Sequence, residues 1–185
     1  MSNIKSFTRE FIQNKKMIGS IIPSWIFLVN KIIKKIDFSK DKVLVEFGPG
    51  TGAFTFRIIK KLKPDSKLLV FELNEAFYNS LKEKIKDSRV ILINDSAENI
   101  EFHLKENNLD AANVIISSLP LTNLPARVRL NIVNNSKNML FQNGRYIQYQ
   151  YSSTAKELLT KKFRKVDISY TLINMPPAII YTCYK

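Results

Sequence analysis

The chain has 185 residues, enough for one domain with a substantial core, and its 45% hydrophobic and 24% charged residues are typical of a globular protein. A single cysteine, Cys183, excludes an internal disulfide framework and fits a reducing compartment. The formal net charge of +13 favours an acidic partner, either nucleic acid or anionic lipid, unless it reflects a chain rich in Lys by general composition. Because no apolar run reaches about 18 residues, we expect no membrane-spanning segment, and we find no signal peptide.

The first 36 residues combine positive charge with apolar side chains. They contain seven basic residues and one acidic residue. Apolar residues recur at helical spacing from Trp25 to Ile36, which predicts an amphipathic helix. Such a stretch either packs on the core, which we favour for Trp25 to Ile36, or lies in a lipid interface, which we favour for residues 1–22. We therefore divide the chain into a basic N-terminal helical extension, residues 1–36, and a main domain, residues 37–185.

A strand, a glycine turn and a helix organise the main domain. The apolar run from Val43 predicts a buried parallel strand that ends at Glu46 and Phe47. The turn Gly48-Pro49-Gly50-Thr51-Gly52 lets the backbone approach a ligand, and Ala53–Leu62 continues with helical spacing. A carboxylate at the strand end would repel a pyrophosphate, and the G-x-G-x-G spacing differs from the dinucleotide fingerprint. A cationic ligand such as S-adenosylmethionine, with its ammonium and sulfonium groups, suits this corner.

Strands and helices alternate through the rest of the chain with short connections. The further predicted strands are Lys67–Leu73, Val90–Asn94, Asn113–Ser117, Arg145–Tyr151, Val166–Ile173 and Ala178–Tyr184, and the predicted helices are Glu75–Lys86, one from about Glu98, and Pro125–Leu140. Repeated βα units predict a doubly wound α/β fold with a mostly parallel seven-stranded sheet. The short link before Ala178 predicts a final antiparallel hairpin.

Ligands of such sheets bind at the carboxyl ends of the strands. Glu72 stands where an acidic residue meets ribose hydroxyls, at the usual distance along the chain from Gly48. Asp95 either accepts a hydrogen bond from the adenine amine or caps the following helix, and both interpretations stay open. The predicted donor-binding residues are Glu46, Gly48, Pro49, Gly50, Thr51, Gly52, Glu72, Leu73, Asn74, Asp95, Ser96, Ala97 and Ser117.

The acceptor side is predicted between the fourth and fifth strands. Strand alternation puts Gln148 and Gln150 on one face and Tyr149 and Tyr151 on the other. The ring of Tyr151 would hold a developing methylammonium by cation–π attraction, with core packing as the alternative for any of these tyrosines. We expect no metal, and we expect His103, the only histidine, to face solvent without a catalytic role. The predicted acceptor-side residues are Ser118, Leu119, Gln148 and Tyr151.

Together these residues resemble the class I S-adenosylmethionine-dependent methyltransferases, and more narrowly the bacterial phospholipid N-methyltransferases. The resemblance rests on Gly19, Pro23-Ser24, Glu46 to Gly52, Glu72 with Phe77, Asp95-Ser96-Ala97, Ser117 to Leu121, Gln148, Tyr151, and Asn174 with Pro176-Pro177-Ala178. The chain departs from the family pattern at Ser118, which is commonly Gly, and at Gln150, which is usually a smaller polar residue.

The resemblance implies a Rossmann-like fold, S-adenosylmethionine as cofactor and S-adenosylhomocysteine as product. It also implies transfer of methyl groups to the amine of phosphatidylethanolamine toward phosphatidylcholine. The expected location is peripheral, at the cytoplasmic face of the membrane, with the basic N-terminal region on anionic lipid.

Two alternatives stay open. A ribosomal RNA adenine dimethyltransferase shares the core and would also use positive charge. Those enzymes carry Asn- or Asp-x-Pro-aromatic after strand four, whereas this chain has Ser117 or Ser118 at the amide position and Leu121 at the aromatic one. We also expect no RNA-binding domain after the core. The second alternative is a non-catalytic membrane-binding module that keeps a vestigial methyl-donor fold.

Overall fold

Seven strands form a single sheet in the order β3-β2-β1-β4-β5-β7-β6 in the computed structural model, which describes residues 22–171 and 177–185. The strands are β1 Val43–Phe47, β2 Lys67–Phe71, β3 Val90–Ile93, β4 Ala112–Ser117, β5 Leu140–Gln150, β6 Lys165–Thr171 and β7 Ala178–Tyr184. The helices are α1 Ile22–Ile33, α2 Thr55–Ile59, α3 Glu75–Lys84, α4 Ile100–Glu106, α5 Ala126–Asn138 and α6 Lys156–Lys162.

The strand directions confirm the predicted fold class. Strands β3, β2, β1, β4 and β5 are mutually parallel, whereas β7 runs antiparallel to both β5 and β6. Phe47 at the end of β1 pairs with Phe71 of β2 and Ser117 of β4, and Ser117 pairs with Gln148 of β5. The carboxyl ends of these strands therefore meet at one edge of the sheet, where α/β proteins bind their ligands.

Alternating side chains of the strands build one core on each face of the sheet. Val45 and Phe47 face the core that α4, α5 and α6 cover, whereas Leu44 faces the core that α1 and α2 cover. The fully buried Leu28 and Ile32 bring α1 onto that second core. Residues from Trp25 onward therefore pack on the sheet, as we favoured from the sequence.

The element boundaries differ from the predicted ones where local signals are weak. Helix α2 is shorter than the predicted Ala53–Leu62. At its two ends, backbone N–H groups donate to the carbonyl three residues earlier, as Arg57 N does to Phe54 O, and such turns are 3₁₀ rather than α-helical. Strand β5 begins at Leu140, where a helix was expected to end, and α6 was not predicted at all. Its seven residues bury only Leu159 and are too few to show helical periodicity.

Some expectations concern residues that the structure does not describe. The interfacial interpretation of residues 1–22 lies outside the described residues except for Ile22, the first residue of α1, and Gly19, Asn174 and Pro176 lie outside them as well. Within residues 22–171 and 177–185, none of the helices combines the length and the apolar character that crossing a membrane requires.

Candidate active site

The glycine turn after β1 adopts a conformation that side chains would strain. Gly48, Gly50 and Gly52 have φ values of +69°, +58° and +88°, in the left-handed region that glycine tolerates best. A Cβ at Gly52 would lie 2.5 Å from the ring of Phe56. The turn is anchored to β2 by the bond of 2.9 Å from Gly48 N to Phe71 O. The backbone at this turn is thus open to close approach by a ligand.

Glu46 places a carboxylate directly before the turn. Its side chain is fully buried, and its Oε2 accepts a hydrogen bond of 2.7 Å from the hydroxyl of Thr55, the first residue of α2. Helix α2 therefore fixes the carboxylate at the strand end. An ionised carboxylate that is removed from water gains most from a cation bound beside it.

Glu72 connects the glycine turn to the start of α3. Its side chain is 6% exposed. Its Oε2 accepts from Gly50 N at 3.0 Å and its Oε1 from Asn74 N at 2.9 Å, while Asn74 caps α3 by accepting from Phe77 N. Charge-assisted bonds of this kind hold the carboxylate rigidly, and each carboxylate oxygen can accept more than one hydrogen bond. A vicinal diol would supply suitable further donors.

The turn after β3 gives Asp95 a role that differs from helix capping. Ser96 is the cap, because its Oγ accepts from Glu98 N at 3.3 Å. The Oδ2 of Asp95 accepts from Asn99 Nδ2 and contacts His103 Nε2, both at 2.9 Å. Burial opposes ionisation of Asp95, but the bonds from His103 and Asn99 outweigh it and hold the pKa of Asp95 below its ordinary value. Asp95 is thus an ionised hydrogen-bond acceptor at this edge.

The expectation that His103 faces solvent is wrong. Its side chain is 14% exposed, and its ring lies 5.4 Å from that of Phe71 in an edge-on contact. Helix α4 begins at Ile100, which puts His103 on the sheet-facing side of the helix with Ile100 and Leu104, both fully buried. His103 therefore supports Asp95 from inside the fold.

The turn after β4 lies over the glycine turn. Ser118 N donates to Phe47 O at 2.9 Å, which ties this turn to the end of β1. The Leu119 side chain covers Gly48, because a Cβ on that glycine would come within 3.0 Å of Leu119 Cδ2. The carbonyl of Leu119 accepts amide hydrogens from Gln148 and Gln150, each at 3.0 Å. The two glutamines thus share one face of β5.

Gln148 is fixed in one orientation and is fully buried. Its Oε1 accepts from the hydroxyl of Tyr146 at 2.5 Å, and its Nε2 donates to the carbonyls of Leu119 and Tyr149. Burial raises the pKa of Tyr146, so its phenol stays protonated and acts as the donor. Gln148 consequently positions the turn after β4.

Tyr149 is a candidate residue that sequence reasoning left unassigned. It is 7% exposed, and its ring lies 5.6 Å from that of Trp25 and 6.1 Å from that of Tyr151. Burial, followed by the neighbouring Tyr151 and Glu46, raises the pKa of Tyr149, while a hydrogen bond with Ser118 partly opposes the rise. Its phenol is therefore neutral, and it lies near both Ser118 and the carboxylate of Glu46. Strand alternation predicts that Tyr149 and Tyr151 share a face, and their rings are indeed in edge-on contact.

The remaining predicted residues differ in how far solvent reaches them. Thr51 is exposed and Leu73 is 47% exposed, whereas Pro49, Ala97 and Ser117 are buried. Tyr151 follows β5 and is 46% exposed. Among the residues that the structure describes, no three or more His, Cys, Asp or Glu side chains group as metal ligands would.

Sequence comparison gives two kinds of relative. Residues 2–138 match the family model described as ribosomal RNA adenine dimethylase. The chain is 23% identical to an ornithine lipid N-methyltransferase of Singulisphaera acidiphila, over 99% of this chain and 96% of the relative. It is 34% identical to ribosomal RNA small subunit methyltransferase A of Mycoplasma capricolum, over 57% of this chain but only 39% of the relative.

Structural comparison identifies methyltransferase folds. The N-methyltransferase NodS from Bradyrhizobium japonicum superposes with a TM-score of 0.72 at 12% identity, covering 88% of this chain and 97% of that one. Its complex with S-adenosylhomocysteine gives a TM-score of 0.65 at 13% identity, with 78% of each chain covered. This likeness shows the Rossmann-like methyltransferase fold that the sequence predicted.

Proposed function

We propose that this chain, which belongs to the ribosomal RNA adenine dimethylase family and is an S-adenosylmethionine-dependent methyltransferase, transfers the methyl group to the amine of a phospholipid headgroup. The proposed reaction converts phosphatidylethanolamine toward phosphatidylcholine. A relative that covers nearly the whole chain is named for N-methylation of another amine-bearing lipid. The relatives of this chain are thus named for methylation of either a lipid or ribosomal RNA. The acceptor side of the site has to distinguish between these two classes of substrate.

The turn after β4 carries the lipid assignment. The ribosomal RNA adenine dimethyltransferases have an amide or acidic residue and an aromatic residue at this turn, where they bind the adenine. This chain has Ser118 and Leu121 at those positions instead. Leu121 is fully buried and packs in the core on the α5 face. A residue that stacks on a base must present a ring to the site, so a buried leucine leaves this function without its platform. A small aliphatic amine needs no such platform.

The donor-side residues fit S-adenosylmethionine by charge and hydrogen-bonding capacity. In this proposal the buried carboxylate of Glu46 faces the cationic amino-acid half of the cofactor, and Glu72 accepts from the ribose diol. The glycine turn allows the backbone to lie close, and Asp95 accepts from the adenine amine. The cofactor supplies an activated methyl group, so the protein has to position a neutral amine rather than provide a strong acid.

Two features of the acceptor side suit such an amine. An ethanolamine nitrogen must lose its proton before it attacks, and an apolar surrounding lowers the pKa of an amine. The aromatic group of Trp25, Tyr149 and Tyr151 provides apolar walls beside Ser118. A ring face of Tyr151 then stabilises the methylammonium product by cation–π attraction.

A basic groove along α1 supports an anionic membrane as the partner surface. Its volume is about 830 Å³. The described lining combines apolar and cationic side chains without an acidic residue: Phe27, Asn30, Lys31, Ile33, Lys34, Ile36, Phe38, Lys61, Tyr170 and Thr171. Phe27 and Tyr170 are 51% and 54% exposed. Exposed rings beside lysines are typical of surfaces that lie in a lipid interface, so we propose a peripheral location at the inner membrane face.

Methylation of ribosomal RNA is the second candidate. The family match and the Mycoplasma capricolum relative favour it, and the net charge of +13 would suit a phosphate backbone. The chain spans 39% of that relative's length, so the likeness concerns only part of the RNA enzyme.

One assay separates the candidates. Radiolabelled S-adenosylmethionine is incubated with the full chain and either vesicles of phosphatidylethanolamine and phosphatidylglycerol, ornithine-lipid vesicles, or unmethylated small-subunit ribosomal RNA. We expect label in phosphatidylethanolamine. Label only in ornithine lipid would correct the headgroup, label only in RNA would replace the proposal, and donor binding without transfer to any acceptor would refute it.

Charge-reversed variants test the membrane surface separately. The double variant Lys31→Glu, Lys34→Glu should lose binding to anionic vesicles at least tenfold, because each lysine near such a surface contributes about 1 kcal/mol. The matched control is Lys82→Glu, Lys84→Glu, which changes the same charge on the exposed side of α3. Equal losses in both variants would show that only net charge matters.

A further inference from the structure

Gln150 holds a hydrogen-bond acceptor at the entrance of the acceptor side. It is the last residue of β5, its side chain is 5% exposed, and its Nε2 donates to Leu119 O at 3.0 Å. Of the two ends of a glutamine amide, only the amino group can donate to a carbonyl oxygen. The assignment of Nε2 and Oε1 in this side chain is therefore fixed by its contact with Leu119 O. The Oε1 of Gln150 must point away from Leu119.

That oxygen has unused capacity. Within residues 22–171 and 177–185, no donor forms a hydrogen bond with Oε1 of Gln150. Gln148, two residues earlier on the same face, differs because both ends of its amide have protein partners. Oε1 of Gln150 is not among the fully enclosed side-chain atoms that lack a partner in the described residues, so it reaches the surface. A mostly buried side chain with its amino group engaged therefore presents this oxygen to a donor that arrives with the substrate.

The surroundings identify where that ligand lies. Leu119 packs on Gly48 of the glycine turn, so Gln150 is one residue removed from the donor side. Ser118, next to Leu119, is partly exposed, and Tyr151, next to Gln150, is 46% exposed. Solvent therefore reaches residues on both sides of the contact between Leu119 and Gln150. Gln150 thus lies beside the turn after β4, next to residues that solvent can reach.

We propose that Oε1 of Gln150 accepts a hydrogen bond from an N–H of the acceptor amine and so directs the nitrogen lone pair toward the methyl group. This inference rests on the proposed function. During transfer the N–C bond forms as the S–C bond breaks, the donor leaves as the neutral thioether S-adenosylhomocysteine, and the extra proton of the product ammonium passes to water.

Counting N–H groups turns the proposal into a specificity rule. A neutral primary amine carries two N–H groups, its monomethyl derivative carries one, and its dimethyl derivative carries none. Gln150 can therefore assist the first two transfers but not a third. A residue that only clamped Leu119 would affect every acceptor alike.

The test compares the parent with Gln150→Leu on phosphatidylethanolamine and its monomethyl and dimethyl derivatives. Loss of one hydrogen bond should lower kcat/KM about tenfold for the first two and change it less than twofold for the third. Gln142→Leu is the matched control, since Gln142 is exposed on the first part of β5. Gln150→Asn keeps the amide but withdraws it by one methylene, and it should shift the acceptor preference in the same direction.

A binding measurement covers the case in which the parent adds only one methyl group. Glycerophosphoethanolamine has N–H groups and glycerophosphocholine has none, so only the inhibition constant of the former should rise about tenfold in Gln150→Leu. Equal losses for all acceptors and inhibitors, or no loss, would overturn the role of Gln150 while leaving the lipid reaction intact. A parent that methylates no lipid would overturn both.

Discussion

Replacing Glu46 by Gln should weaken binding of the methyl donor without disturbing the fold. The two side chains have the same shape, and the glutamine oxygen can still accept from the hydroxyl of Thr55, which lies 2.7 Å from Glu46 Oε2. The substitution removes the charge and replaces the second carboxylate oxygen by an amino group. Because Glu46 is fully buried, solvent screens its attraction for a cation very little.

The expected magnitude follows from the kind of bond that is lost. A hydrogen bond to a charged group contributes about 1.5–3 kcal/mol and a neutral one about 0.5–1.5 kcal/mol. The difference of about 1–1.5 kcal/mol corresponds to a dissociation constant about 5- to 13-fold weaker. Glu157→Gln is the control, because Glu157 is exposed and pairs with Lys161 on the surface of α6, where an ion pair contributes little.

Calorimetric titration with three ligands identifies the cation that Glu46 meets. S-adenosylmethionine has an ammonium and a sulfonium, S-adenosylhomocysteine only the ammonium, and 5′-methylthioadenosine neither. If Glu46 meets the ammonium, Glu46→Gln should weaken the first two equally and leave the third unchanged. Undiminished affinity of Glu46→Gln for S-adenosylmethionine would refute the electrostatic argument for this corner.

Two further predictions concern the frame of the site. Gly52→Ala should lower the free energy of unfolding by about 2–4 kcal/mol and abolish donor binding, because it combines a left-handed backbone with a contact of 2.5 Å to Phe56. Gly50→Ala should lower it only by the backbone strain of about 1–2 kcal/mol. Equal thermal unfolding of the two variants would contradict this. Arg89 lowers the pKa of Asp87 to about 2. The stabilisation from Asp87 is therefore present above its ordinary pKa and is lost as pH falls through about 2. Asp87→Asn should be about 1 kcal/mol less stable than the parent at pH 7 in urea denaturation, with no difference near pH 2.

Most of the sheet could be predicted because its strands carry strong local signals. The run from Val43 is apolar on both faces, and Ala178–Tyr184 was placed with its observed bounds. The extra length of β5 was missed because Phe141 and Gln142 are exposed and polar residues follow, which obscures any strand pattern. Helix α6 is too short to have a period, so only its packing through Leu159 defines it.

The positions of the candidate site residues could be predicted in part from the topology of the sheet. Parallel strands bring their carboxyl ends together, so Glu46, Glu72 and Asp95 could be placed at one edge from order alone. The bonds that set their roles connect residues distant in sequence, such as Gly50 to Glu72 and Gln150 to Leu119. No local pattern encodes such a partner. The contact of His103 with Asp95 spans only eight residues, but it depends on where helix α4 begins after the turn.

The insertion of β7 between β5 and β6 also bears on the order in which the protein is made. Strands β1 to β4, which carry the proposed donor side, have all been synthesised once residue 117 is added. Strand β5 gains its second neighbour only when β7 arrives, after α6 and β6. A nascent chain that stalls before Ala178 would hold a nearly complete cofactor cleft beside an unpaired edge. Such an edge invites pairing with other chains, so strand β7 covers an edge of β5 that would otherwise favour aggregation.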